Sequence, residues 1–371
     1  LRHPSLLLLT ASVAIIGSNS LALSPIAVSV AGSFPPADGA AVMSAQALFG
    51  GGTALSALTL AALVDRVGLA RSLFVALSVL ALAMLATALA PSLNWMRAAQ
   101  AVAGLATGVA LPATYGLAAE AAPKGQESRF LGRVLTGWTL SMVFGASAAA
   151  VLTDLAGWRS VYLVLAAVGA AIAGALVLRG HMARLALPRA APLAPFAALA
   201  VPGVGPALMV CGVYMMAFYG LYAYLGTHLQ TDLHLAPWAA GLAPLVYGLG
   251  FGAAAWIDPI IDRRGARRVA PVVFRVIVLV YGALAAGSGS SAALIGLCLI
   301  WGAVNHLGLN LIVGRLSALG PARRGAILGL NSGVTYIAVL VGTWAFGLAY
   351  AQGGLRRLRA PVRSLHPARA A

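Results

Sequence analysis

The chain has 371 residues, 61% of them hydrophobic and only 9% charged, with a mean hydropathy of +0.93. Soluble chains are about half apolar and about a quarter charged, whereas lipid-embedded helices tolerate the 43 Gly and 19 Pro scattered here through apolar runs. The composition excludes a soluble enzyme, and the net charge of +16 does not mark a nucleic-acid partner, because the arginines are dealt out among short loops rather than gathered on one face.

Crossing roughly 30 Å of hydrocarbon takes about 20 apolar residues. Runs of that length are expected at about 6–30, 40–64, 72–90, 93–119, 130–153 and 158–178. Five more follow at about 203–228, 236–257, 269–287, 291–314 and 326–350, which gives an all-α polytopic membrane protein with 11 spans. The first run is longer than the apolar core of a secretory signal and lacks a clear small-residue cleavage site, so it reads as a helix. With the N-terminus inside, sixteen Arg and Lys residues between Arg2 and Arg324 fall on the cytoplasmic side, and up to Tyr350 only Arg97 and Arg159 fall outside. That asymmetry predicts a multi-pass protein of a bacterial-type inner (plasma) membrane, N-terminus cytoplasmic.

Cys211 and Cys298 both lie inside spans, where a thiol acts as a small hydrophobe, so neither a disulfide nor a metal is expected. Lys124 is followed by Gly125 without a Ser or Thr, which removes the phosphate-cradling loop of an ATPase. Six histidines make no His-Glu-x-x-His pair and eight acids leave little for paired-carboxylate chemistry. No enzyme activity and no cofactor are expected.

Two turns share a pattern. Asp65-Arg66-x-Gly68-x-x-Arg71 follows span 2, and Asp262-Arg263-x-Gly265-x-Arg267 follows span 8. A displacement of six spans is what a chain built from two six-helix halves requires. The expected organisation is an N-terminal half at 1–178, a basic linker at 179–200 and a C-terminal half at 201–350, followed by a basic tail at 351–371.

These turns resemble those of the major facilitator superfamily, whose turn between helices 2 and 3 reads Gly-x-Leu-x-Asp-Arg-x-Gly-Arg-Arg/Lys. "RAAQAVAG", with Arg97 and Gln100, is similar to the family's helix 4 motif Arg-x-x-Gln-Gly, and "GWR" at Gly157 to the start of its helix 6. Ala61 stands in the first glycine place and Leu69-Ala70 replaces the neighbouring basic residue, which implies a looser cytoplasmic latch. In span 5 the antiport pattern Gly-Pro-x-x-Gly-Gly is reduced to "GASAAA", without its proline. "SMVFGAS" followed by "GWR" resembles the drug and sugar (arabinose-type) efflux branch.

The resemblance implies a latch in which Asp65 accepts from the start of helix 11 and Arg66 and Arg129 pair with Glu120; an ordinary topology-setting loop is the other reading. Arg97 reads either as an anchor or as part of proton transfer, and Arg159 as an outer structural residue. The resemblance also implies a cavity lined by helices 1, 4, 7 and 10, where Asn19, Tyr115, Tyr219, Tyr222, Asn305, His306 and Asn310 supply polar or aromatic groups. Gln46, Trp138, Asn331 and Tyr336 are further candidates. Tyr214, Phe218 and Tyr222 form a stripe at i, i+4 and i+8, suited to stacking on a flat solute or to helix packing. His306, sharing a face with Asn310, either carries a coupled proton or is a bonded packing residue. Spans 1, 5, 7 and 10 contain no acid, which favours neutral solutes over cations.

The resemblance thus implies proton-coupled efflux of a sugar-like or amphipathic small solute by alternating access, with the lipid bilayer, the solute and protons as partners and a monomeric state. An importer of the same fold or a truncated non-transporting membrane protein are the alternatives. The last residues contain no apolar run of ten where a twelfth helix is expected. Eleven spans place Arg356, Arg357, Arg359, Arg363 and Arg369 outside, against the positive-inside rule, so a missing or altered twelfth helix is anticipated.

Overall fold

A computed structural model describes residues 5–60, 64, 67–123, 127–178, 195–320 and 324–351, leaving aside the side chains of 127–129, 195, 262, 324–325 and 351. Eleven helices within it are long and apolar enough to cross a membrane. They are α1 (Leu6–Ala31), α2 (Gly39–Thr59), α3 (Leu69–Ala88), α4 (Leu93–Ala121), α5 (Phe130–Ala156) and α6 (Trp158–Leu178). Then come α7 (Val204–Thr231), α8 (Pro237–Trp256), α9 (Ala266–Ala286), α10 (Ser291–Leu319) and α11 (Arg324–Ala351). The face on which α1 begins is called the basic face below, and the other the opposite face.

Local chemistry sets the helix ends. Side-chain oxygens of Ser5, Asp38, Ser92 and Ser290 accept from the N–H three residues on and cap α1, α2, α4 and α10. At the repeated turns the glycines decide: Gly68 (φ +95°, ψ 140°) and Gly265 (φ +81°, ψ 136°) adopt one backbone conformation, open to glycine but not to other L-residues. Both break the chain immediately before a helix, so α3 and α9 start three residues earlier than hydropathy alone places them.

The internal repeat extends into packing. Gly104 of α4 lies so close to α2 that an added Cβ would stand 2.1 Å from the Phe49 carbonyl oxygen. Gly302 of α10 lies equally close to α8, with 2.0 Å to the Tyr247 carbonyl oxygen. Small residues at such crossings let membrane helices approach to van der Waals contact, which drives association where lipid removes the hydrophobic force. Helix pairs α1/α5, α2/α4 and α3/α4 of the first six helices are matched by α7/α11, α8/α10 and α9/α10. One match is absent among the described residues: α3 also packs against α6, whereas α9 has no such partner, and 28% of its apolar window is buried against 56% for α3.

The two halves meet along α2/α11 and α5/α8, with α1/α7 between them. The tail from 352 onward, and the linker from 179 to 194, lie outside the described residues.

Candidate substrate site at the seam between the halves

Tyr115 of α4, Tyr219 of α7 and Tyr336 of α11 bring three phenols from both halves to the seam, close enough for their hydroxyls to interact electrostatically. Trp138 of α5 donates its indole N–H to the Tyr115 hydroxyl at 3.2 Å, and its ring lies against Gly17 of α1. Tyr336 meets the edge of Phe49 of α2, with centroids 6.4 Å apart. Gln46 donates to the Ser20 carbonyl at 2.7 Å, which fixes α2 on α1.

The hydroxyl of Tyr336 is buried and has no hydrogen-bond partner among the described residues, and the buried Ser20 hydroxyl stands beside that of Tyr219. A buried polar group left unpaired costs about 1–3 kcal/mol. These groups therefore form the part of the seam most ready to accept hydrogen bonds from a neutral, hydroxylated or amphipathic molecule. The seam is closed, however. A void lined by Ser24, Pro25, Tyr222 and Gly226 has about 10 Å³, room for about one water molecule.

Closure is concentrated toward the opposite face, on α1 and α7. Ser24 donates to the Tyr222 carbonyl at 2.5 Å, the Tyr222 hydroxyl donates to the Leu21 carbonyl at 3.2 Å, and Gln230 donates to the Pro25 carbonyl at 2.6 Å. Gly226 makes the approach possible, since a Cβ there would lie 2.3 Å from the Ser24 carbonyl oxygen. On the α5 side, residues Ser141–Ala146 wind as a π-helix, and Gly145 sits against Ser18 where a Cβ would come within 2.2 Å of its hydroxyl. The helix irregularity expected of a proline is here supplied by a π turn, a device that recurs at functional sites.

Other expected cavity residues are used elsewhere. Asn19 and Gln100 exchange amide hydrogen bonds at 3.2 and 3.4 Å, and Gln100 also donates to Thr87 at 3.1 Å, a buried network tying α1, α4 and α3 together. Asn305 donates to the Tyr247 hydroxyl at 3.2 Å, and its carbonyl accepts from Tyr214 at 2.6 Å. Asn331 accepts from the Cys211 thiol at 3.0 Å. The stripe Tyr214, Phe218, Tyr222 is spent on packing: Phe218 stacks on Tyr247 at 5.4 Å and also meets Trp301, while Tyr222 crosses to α1. Asn310 is exposed and parts company with His306, which turns to helix α8.

His306 bonds to Asp258 at 3.0 Å, and Phe251 covers the imidazole edge-on at 4.8 Å. Sequence reading missed this carboxylate because it stands just past the end of α8, outside every span searched for acids. The signal was the α2/α4 and α8/α10 pairing of the repeat, which puts the end of α8 beside α10. Arg97 anchors α4 on α2, donating to Ser44 and Asn94 at 2.7 Å each. Arg159 donates to the Ala90 carbonyl at 3.0 Å and lies 4.4 Å over the Trp158 ring, at the opposite face.

Of the expected latch, Gly68, Arg71, Glu120, Arg263, Gly265 and Arg267 stand on the basic face, with the four charged side chains exposed. Asp65 and Arg66, and the side chains of Arg129 and Asp262, lie outside the described residues.

Residues 5–349 match the family model described as Major Facilitator Superfamily. The chain belongs to that superfamily. It is 27% identical over 356 residues to the "Uncharacterized MFS-type transporter YwfA" of Bacillus subtilis (strain 168), covering 94% of this chain and 86% of that one. In fold it is similar to the crystal structure of a bacterial homolog to the human lysosomal transporter Spinster. The inward-facing, unoccupied form gives a TM-score of 0.74 at 16% identity over 94% of this chain and 82% of the other. The inward-facing, occupied form gives 0.71 at 16% identity over 95% and 83%. The superfamily protein is therefore a secondary transporter with a small-molecule substrate in a membrane, and not an enzyme.

Proposed function

We propose that this transporter exports a small neutral solute, sugar-like or amphipathic, in exchange for protons. The observation that carries the reading is the seam itself, where Tyr115, Tyr219, Tyr336, Trp138 and Ser20 offer aromatic faces and hydroxyls, that of Tyr336 unpaired, without a formal charge. Such a set stacks on a sugar ring or a flat drug and bonds its hydroxyls, while giving a cation no carboxylate to pair with. The His306–Asp258 pair supports proton coupling, since an imidazole and a carboxylate, two groups that can carry a proton, stand 3.0 Å apart where α8 ends beside α10.

Alternating access then proceeds by rocking the halves about the α1/α7 line, with the basic face toward the cytoplasm as the positive-inside rule requires. Efflux and antiport rest on the resemblance of the α5 and α6 motifs to the drug and sugar efflux branch.

The test is made in everted membrane vesicles carrying a pH-sensitive dye and an imposed proton gradient, against a panel of sugars, drugs and amino acids. Addition of one neutral class should dissipate the gradient only in vesicles that contain the transporter. Dissipation by cations alone would overturn the neutral-solute reading, and solute uptake without proton movement would overturn coupling.

A further inference from the structure

The internal repeat leaves one helix face without cover. In the first half α3 is backed by α6, and among the described residues no helix plays that part for α9. Its open stripe runs from Arg268 through Val272, Arg275 and Val278 to Leu279, all exposed. The apolar members of such a stripe are covered by acyl chains in any membrane, but Arg275 is not a residue for that setting.

Arg275 stands nine residues after Ala266 in a helix of 21 residues. At about 1.5 Å per residue that is about 13 Å from the helix start, close to the middle of roughly 30 Å of hydrocarbon. It is exposed and makes no hydrogen bond or ion pair among the described residues. The repeat does not require it, because ten residues after Gly68, where Arg275 stands after Gly265, the chain has Ser78. A guanidinium at this depth is costly unless it reaches water or an anion. Side chains leave a helix toward its N-terminal end, which for α9 is the basic face. There Arg268 of the same stripe and Arg264 of the preceding turn are exposed and also without an ion pair among the described residues.

The chain has nothing to set against these charges. No acid follows Asp262 in the sequence, the acids of the described residues all lie at helix ends, and Asp258 is taken up by His306. The stretch 352–371 adds five arginines and no acid. A second copy docked face to face in the same membrane would set one Arg275 beside the other at equal depth. The occupant must bring its own negative charge, together with an apolar body to lie along Val272, Val278 and Leu279.

We propose that this face of α9 binds an anionic phospholipid from the leaflet on the basic side. Its phosphate is drawn down to Arg275, Arg268 and Arg264 hold the headgroup nearer the membrane surface, and an acyl chain follows the apolar stripe. A lipid fits better than an acidic partner helix, because the three arginines step inward from the level where lipid phosphates stand. The lipid then takes on α9 the place that α6 takes on α3. The inference is independent of the solute and of proton coupling.

The test uses the full chain, purified in a non-ionic detergent and titrated with phosphatidylglycerol or phosphatidylcholine of the same acyl chains. Bound lipids are counted by native mass spectrometry. The parent should hold one phosphatidylglycerol at least about ten-fold more tightly than phosphatidylcholine, as a charge-assisted contact permits. Arg275→Gln should lose that preference and Arg275→Lys should keep most of it. Arg133→Gln, which removes an exposed charge of the basic face in the first half, should keep all of it.

Thermal midpoints give a second reading, since phosphatidylglycerol should raise those of the parent and Arg133→Gln and leave that of Arg275→Gln in place. Should Arg275→Gln not fold, Arg268→Gln is the replacement and should weaken the preference. Equal binding of the two lipids by the parent, or an undiminished preference in Arg275→Gln, would overturn the proposal. So would another protein or a second copy that stays with the parent and is lost from Arg275→Gln. Glycerol phosphate binding as tightly as the lipid would overturn it too, because that anion has no acyl chain.

Discussion

Gly226→Ala tests whether the α1/α7 contact is a closure between moving halves or ordinary packing. The new methyl would stand 2.3 Å from the Ser24 carbonyl oxygen and 2.8 Å from the Pro25 Cα, backbone atoms that cannot swing aside. The helices must separate by about 1 Å, a misfit of the kind that costs about 1–3 kcal/mol in a packed core. Separation also stretches the Ser24–Tyr222 and Gln230–Pro25 hydrogen bonds, each worth about 0.5–1.5 kcal/mol. If the contact exists only when the opposite face is closed, this energy is not lost from the fold. It shifts the balance toward the open state, by about 2 kcal/mol or about thirty-fold.

The readout is the labelling rate of Ala223→Cys, 2% exposed in the seam, by an impermeant maleimide in a background without native cysteines. The rate should rise by an order of magnitude or more in Gly226→Ala. Gly104→Ala is the control, because its methyl would stand 2.1 Å from the Phe49 carbonyl oxygen inside one half. That change should lower the thermal midpoint and leave the labelling rate alone. A folded Gly226→Ala protein whose Ala223→Cys thiol labels at the parental rate would refute the reasoning.

Tyr336→Phe removes a buried hydroxyl without a partner, so the unliganded protein should gain about 1 kcal/mol while solute binding weakens; thermal midpoints with and without solute read the two opposite signs. Asp258→Asn and His306→Gln should each abolish proton-driven flux and spare solute counterflow, and loss of both activities together would argue for a structural pair. Arg159→Ala loses its bond to the Ala90 carbonyl and its place over Trp158, and should destabilise the protein by about 1–2 kcal/mol in a denaturation assay at unchanged transport per folded molecule.

The membrane class, the eleven helices and the internal repeat were legible from residues alone. Lipid supplies no hydrogen bonds, so the backbone of a long unbroken apolar run must satisfy itself as a helix of about 20 residues, and that demand is written locally along the chain. Gly68 and Gly265 likewise announced their turns, because a positive φ is a local property.

Which polar side chain faces which was decided by tertiary structure. In water an amphipathic pattern marks the buried face of a helix, but a helix between protein and lipid is apolar on both sides, and the pattern fades. Asn19 therefore looked like a cavity residue until its partner Gln100, 81 positions away, was brought beside it. His306 had no visible carboxylate until α8 and α10 packed and delivered Asp258 from 48 positions away. Such contacts depend on how the helices cross, and a crossing is fixed by close approaches such as Gly302 on the backbone of Tyr247 rather than by anything local to the residues it brings together.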